Sequence, residues 1–186
     1  MIYWKKVEAG NIVKYAPKIL QYFYNVYLPK KVIDKWSNSF WNPVLIEDIE
    51  TYFPEIISNT SQFGKIKELA ILLLTTDSST LHIDHTVGLN KNVKARLNIP
   101  ILNTLGSFTA FYENLDDLPY HVTPGGTKFW DSDLRYTLTP ITSVEVTEPT
   151  ILRISAPHSV LNKEGIFPRI TITISFEEDL VKYLDN

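Results

Sequence analysis

The 186 residues include four histidines and no cysteine, so any transition metal bound here must sit on imidazole and carboxylate. His82 and Asp84 stand two apart in Leu81-His82-Ile83-Asp84. On a strand, residues i and i+2 point to the same face, so this imidazole and carboxylate project together as two neighbouring ligands. A third ligand must come from elsewhere in the chain. His158, closing the segment from Thr150 through Pro157, is the best placed. Two histidines and one carboxylate gathered on one side of a metal leave positions open opposite them. His-x-Asp alone is a common pair that also occurs in ordinary polar turns; His158 and a later arginine give it weight.

That arginine is Arg169. From Arg169 to Phe176 the alternation is strict: Ile170, Ile172, Ile174 and Phe176 on one face, Arg169, Thr171, Thr173 and Ser175 on the other. If the apolar face packs on helices, Arg169 points inward, where a guanidinium is costly without an anion. A bidentate carboxylate is its natural partner. The plainer alternatives are a sheet edge in water or a pairing with a protein carboxylate. Arg96 to Ile101 divides in the same way, with Leu97, Ile99 and Ile101 opposed to Arg96 and Asn98. Asn98 and Arg96 are therefore candidate contacts to a polar ligand, a solvated sheet face being the alternative. Asn103, Thr109 and Tyr112 are weaker candidates of that kind.

Other residues are set aside. His85 points away from the His82–Asp84 face. His121, in Pro119-Tyr120-His121, either lines a substrate entrance or is simply exposed. Pro124-Gly125-Gly126-Thr127 lacks the spacing and the lysine of a phosphate-binding loop. Ser159 has no Gly-x-Ser-x-Gly elbow around it.

Two textures position these groups. From about residue 10 to 68 apolar residues recur every three or four positions, which predicts helices, one through Ile12, Tyr15, Ile19, Tyr22, Phe23 and Val26. Pro17 places a start or break there, and Pro54 interrupts a second helical run over 45–57. Trp36, Phe40 and Trp41 are expected to cover one end of the core. After residue 68 short β-branched segments predict strands at 69–74, 80–85, 94–103, 107–113, 127–131, 134–138, 143–146, 150–157 and 168–176. The loop 115–126 is the most obvious insertion. The expectation is a single domain: helical support over 1–68, a β-sandwich or squashed barrel over 69–176, and a C-terminal tail over 177–186.

Composition excludes several classes. A chain of this size, 44% hydrophobic, can bury a core without disulfides or a structural metal. The net charge of −3, with acids and bases interspersed, gives no stripe for a phosphate backbone, so nucleic acid is not expected as a partner. No apolar stretch follows Met1-Ile2-Tyr3-Trp4-Lys5-Lys6, and Leu69–Leu74 is too short to cross a bilayer, so neither a signal peptide nor a membrane span is expected. A soluble, cytoplasmic protein is the expectation.

As a set, His82-Ile83-Asp84, His158 and Arg169 resemble the His-x-Asp…His…Arg pattern of the iron(II)- and 2-oxoglutarate-dependent dioxygenases, over residues 69 to 176. The segment Arg96 to Asn103, followed by Gly106, is reminiscent of their prolyl-hydroxylase-like and aspartyl/asparaginyl β-hydroxylase-like branches. The resemblance implies a mainly β fold with N-terminal helices, a double-stranded β-helix of jelly-roll or cupin-like form. It implies Fe(II) on His82, Asp84 and His158, and 2-oxoglutarate as cosubstrate with its far carboxylate on Arg169. It further implies hydroxylation of a C–H bond of an amino-acid, peptidyl or other small substrate, with release of succinate and CO2. Asp84 favours hydroxylation over halogenation, since the family's halogenases replace that acid. A cupin-like metal protein of non-oxidative chemistry and a catalytically silent barrel are the alternatives. The 115–126 loop and the N-terminal aromatics are expected to face the substrate, which the sequence does not name.

Overall fold

Residues 1–10, 12–30, 41–84, 93–113, 115–124, 126–131, 133–162, 164 and 166–185 are described in the computed structural model, with Ile12, Val13, Lys30 and Arg135 described in backbone only. Twelve strands form among them: β1 (Trp4–Lys6), β2 (Trp41–Val44), β3 (Ile66–Leu74), β4 (His82–Ile83), β5 (Arg96–Leu102), β6 (Ser107–Phe111), β7 (Tyr120–Val122), β8 (Lys128–Trp130), β9 (Thr142–Glu145), β10 (Thr150–Leu152), β11 (His158–Asn162) and β12 (Arg169–Phe176). They make two six-stranded antiparallel sheets. The first has the order β1-β10-β5-β12-β3-β2 and the second β7-β8-β4-β11-β6-β9.

The two-residue alternation along β12 and β5 decides what each face of the first sheet meets. Ile170, Ile172, Ile174 and Phe176, with Leu97, Ile99 and Ile101, join one buried cluster containing Ile19, Phe23, Ile49, Phe53 and Ile56 from the helices. Full burial of each such side chain contributes roughly 1.5–3 kcal/mol relative to exposure. The opposite face of β12, carrying Arg169, Thr171 and Thr173, looks into the space between the sheets.

The helices follow their prolines. Pro17 lies in the first turn of α1 (Ala16–Tyr22), where its missing N–H needs no partner. The chain runs on through a wider turn, Phe23–Tyr27, into α2 (Leu28–Lys30). Pro54 likewise starts a new helix, so 45–57 is broken into α3 (Ile46–Tyr52) and α4 (Pro54–Thr60) at Phe53. Trp36, Phe40 and His85 lie outside the described residues.

Two expectations are corrected. Residues 134–138 are not a strand: Leu134–Thr137 form the short helix α5, entered through a turn in which the Asp131 side chain accepts from Asp133 N–H and its carbonyl from Leu134 N–H. Leu134 and Leu138, four apart, both reach the cluster of Leu81, Tyr112, Leu115 and Trp130. The 115–126 insertion is not wholly loop, since it contains β7, hydrogen-bonded to β8. Within the C-terminal tail, residues 177–185 pack on the core: Leu180 and Leu184 are fully buried on its helix side, and the Asp179 carboxylate caps the turn by accepting from Val181 N–H at 2.9 Å. No helix among the described residues is long and apolar enough to cross a membrane.

Candidate metal centre and anion pocket

A cavity of about 540 Å3 lies between the sheets. His82, Asp84, His158, Arg169, Asn98 and Thr109 all line it. Leu72, Leu74, Ile154 and Val160 give it apolar wall, closed further by Trp41 and Phe129.

Strand pairing in the second sheet brings the nitrogen ligands together. His158 on β11 stands directly opposite His82 on β4, and their rings are 4.3 Å apart between centroids. Directly opposed residues share a face, so both imidazoles turn to the cavity. Asp84 follows two residues after His82 on that face, its Oδ1 3.6 Å from His82 Nε2. One ligand atom from each of the three residues lies within 4.8 Å of the other two, so the group could hold a metal ion.

The tautomers are set by the backbone. His82 Nδ1 is 2.6 Å from the Thr80 carbonyl oxygen, and His158 Nδ1 is 2.9 Å from that of Ala156. A carbonyl only accepts, so each Nδ1 carries the proton and donates. In the neutral ring this tautomer leaves Nε2 with its lone pair, the form a metal ligand needs. Burial, with His82 alongside, holds the His158 imidazole down at about 4, against the raising pull of Asp84 and the Ala156 carbonyl. It is neutral at pH 7.

Arg169 is buried, 2% exposed, at the start of β12. Its Nη1 donates to Thr171 Oγ1 at 3.4 Å, while its Nε is a buried donor without an acceptor among the described residues. Of the two plainer alternatives, a wet sheet edge is removed by this burial. Among the described residues it forms no ion pair with a carboxylate. Burial draws its guanidinium down to about 10, still charged at neutral pH.

The other candidates separate. Asn98 is buried in the cavity wall, its Nδ2 donating to the Arg96 carbonyl at 3.4 Å. Arg96, the other candidate ligand contact, is not among the residues that line the cavity. Its Nη2 is 2.6 Å from Glu68 Oε2 and its guanidinium lies 4.7 Å from the Trp41 ring centre, so the charge is already matched by a carboxylate and an aromatic face. Asn103, in the β5–β6 turn at φ 51°, donates to the Pro168 carbonyl at 2.8 Å, a turn contact. Tyr112 faces away from the cavity and meets Ser159 Oγ at 3.3 Å. His121 is exposed on β7 and stacks on Phe129 rather than lining the cavity.

Trp41, one of the N-terminal aromatics expected near the substrate, does line the cavity, and Phe129 is an aromatic wall residue that the sequence did not single out for the site. For Phe129 the signal was its aromatic type, because β8 is too short to declare a face.

No protein-family model matches this chain. No curated protein matches it either. Among solved structures it is similar to AviO1 from Streptomyces viridochromogenes Tue57, with 13% identity and a TM-score of 0.48 over 93% of this chain and 88% of that one. It is similar to EvdMO1 with 13% identity and a TM-score of 0.47, over 93% of this chain and 46% of that one. This chain thus spans about half the length of EvdMO1.

Proposed function

We propose that this protein is an iron(II)- and 2-oxoglutarate-dependent dioxygenase that hydroxylates a C–H bond of a small or peptidyl substrate. The observation that carries the reading is a two-imidazole, one-carboxylate group and a buried Arg169 without a carboxylate partner among the described residues, all lining one cavity. The donor set suits Fe(II): two nitrogen ligands with their lone pairs free and one anionic oxygen. Arg169 suits the far carboxylate of a dicarboxylate, which would supply the acceptor its Nε lacks among the described residues.

Fe(II) with 2-oxoglutarate would supply the oxidising power, taken from dioxygen as the cosubstrate is converted to succinate and CO2. The chain's own part is binding and orientation. His82, Asp84 and His158 hold the metal from the β4–β11 side, and Arg169, hydrogen-bonded to Thr171, anchors the cosubstrate from β12. Leu72, Leu74, Ile154 and Val160 exclude water around both. Asn98 is a further cosubstrate or substrate contact. Asp84 keeps the carboxylate that favours hydroxylation.

A double-stranded β-helix is the form of fold we propose for the core. Two sets support it: β10-β5-β12-β3 in one sheet and β4-β11-β6-β9 in the other, with the chain passing between sheets at every step from β3 to β6 and from β9 to β12 among these eight strands.

The test is an anaerobic reconstitution with Fe(II), titrated with 2-oxoglutarate while the weak visible metal-to-ligand charge-transfer band is followed. The wild type gives a band, His158→Ala gives none, and Arg169→Ala requires much more 2-oxoglutarate. A folded wild type with neither bound iron nor a band overturns the reading and leaves a silent barrel.

A further inference from the structure

The metal ligands are members of a longer row. Register pairs His121 with Phe129 across β7 and β8, Phe129 with His82 across β8 and β4, and His82 with His158 across β4 and β11. All four side chains therefore share one face of the second sheet. Their rings touch in sequence. His121 and Phe129 lie 5.6 Å apart at 20°, Phe129 and His82 5.6 Å at 30°, and His82 and His158 4.3 Å at 49°.

His82 thus stands between two rings, and the phenyl is the one that is not itself a metal ligand. The Cβ–Cγ bond and the hydrogen bond from His82 Nδ1 to the Thr80 carbonyl hold two adjacent ring atoms and leave the imidazole a hinge-like swing about the line through them. A flat ring against its side removes the swing. On its far side Phe129 is stacked by His121, which is exposed on β7. Rings offset at such distances attract beyond their buried area, a preference an aliphatic side chain of similar bulk does not reproduce. From this geometry we infer that Phe129 is a positioning residue for the metal ligand His82, keeping its Nε2 aimed at the cavity.

The inference rests on the metal-centre reading above and concerns a residue outside the ligand set. The consequence is a metal affinity that depends on the ring at position 129, because misaiming one ligand weakens binding without removing it.

The experiment uses the full chain and Co(II) as a spectroscopic probe. Wild type, Phe129→Leu, Phe129→Met and Phe129→Tyr are titrated after circular dichroism has shown each to be folded. The two aliphatic variants keep apolar bulk, so either suffices if the other fails to fold. The expected result is Co(II) binding weaker by about fivefold in the aliphatic variants, with altered visible bands, and both properties restored in Phe129→Tyr. Wild-type affinity and spectrum in a folded aliphatic variant overturn the inference and leave the metal centre standing. No Co(II) binding by the wild type overturns the metal centre and the inference together.

Discussion

His82 and His158 face each other across two neighbouring strands of one sheet, each with Nδ1 turned to a carbonyl two residues earlier and Nε2 left over. The pair makes up two of the three candidate ligands. Replacing either imidazole should therefore weaken binding sharply with little effect on the fold. His82→Ala and His158→Ala are each expected to lower Co(II) affinity at least a hundredfold, as measured by calorimetry. Asp84→Asn, which keeps an oxygen donor but loses the charge, should fall between them and the wild type.

Arg169 presents the opposite case, a residue that the fold tolerates for its site. Its charge is buried and no carboxylate among the described residues compensates it. Arg169→Met should raise the stability of the metal-free protein by about 1 kcal/mol, since a matched apolar group replaces a desolvated cation. The same variant should lose its response to 2-oxoglutarate. The metal-loaded wild type gains about 2.7 kcal/mol at a hundred times the dissociation constant. Urea denaturation with and without the dicarboxylate measures both effects.

Arg96 behaves differently because its partner is already present. Glu68→Ala takes away the carboxylate 2.6 Å from a fully buried guanidinium, although Glu68 itself is partly exposed. We expect a loss of about 2 kcal/mol in urea denaturation. Co(II) and 2-oxoglutarate affinities should remain within twofold of the wild type.

Alkaline pH probes the helical support. The Tyr22 hydroxyl donates to Asp48 Oδ2 at 2.7 Å, and burial, reinforced by that carboxylate, pushes its phenol above the ordinary value near 10. The folded state then keeps a proton that the unfolded chain releases. Tyr22's contribution is present in full below pH 10 and is lost progressively as pH rises beyond it. Tyr22→Phe should flatten that part of a stability-against-pH curve, read from denaturation midpoints between pH 9 and 11.

The site was more legible than the scaffold for a physical reason. His82 with Asp84, and Arg169 with Thr171 and Thr173, declare a shared face through a period of two, which strands enforce wherever they lie. The alternation of β5 and β12 marked equally well which face the helices would cover. What period two cannot supply is the identity of a strand's neighbour. Arg96 and Asn98 share a face, yet Arg96 meets Glu68 across the sheet while Asn98 meets the cavity. Phe129 was invisible for the same reason: its importance comes from standing opposite His82. At 134–138 leucines at 134 and 138 fit a strand and a helical turn alike, and the chain takes the helical turn, which brings both to one apolar cluster.

The carbonyls of Thr80 and Ala156 choose which nitrogen of each histidine faces the cavity. Every amino acid carries that atom, so no replacement at position 80 or 156 can delete it. The ligand set is thereby insulated from drift in the side chains beside it. What descendants of this chain must preserve is the path of the backbone before each histidine, and alignment by letter will underrate how well they have kept it.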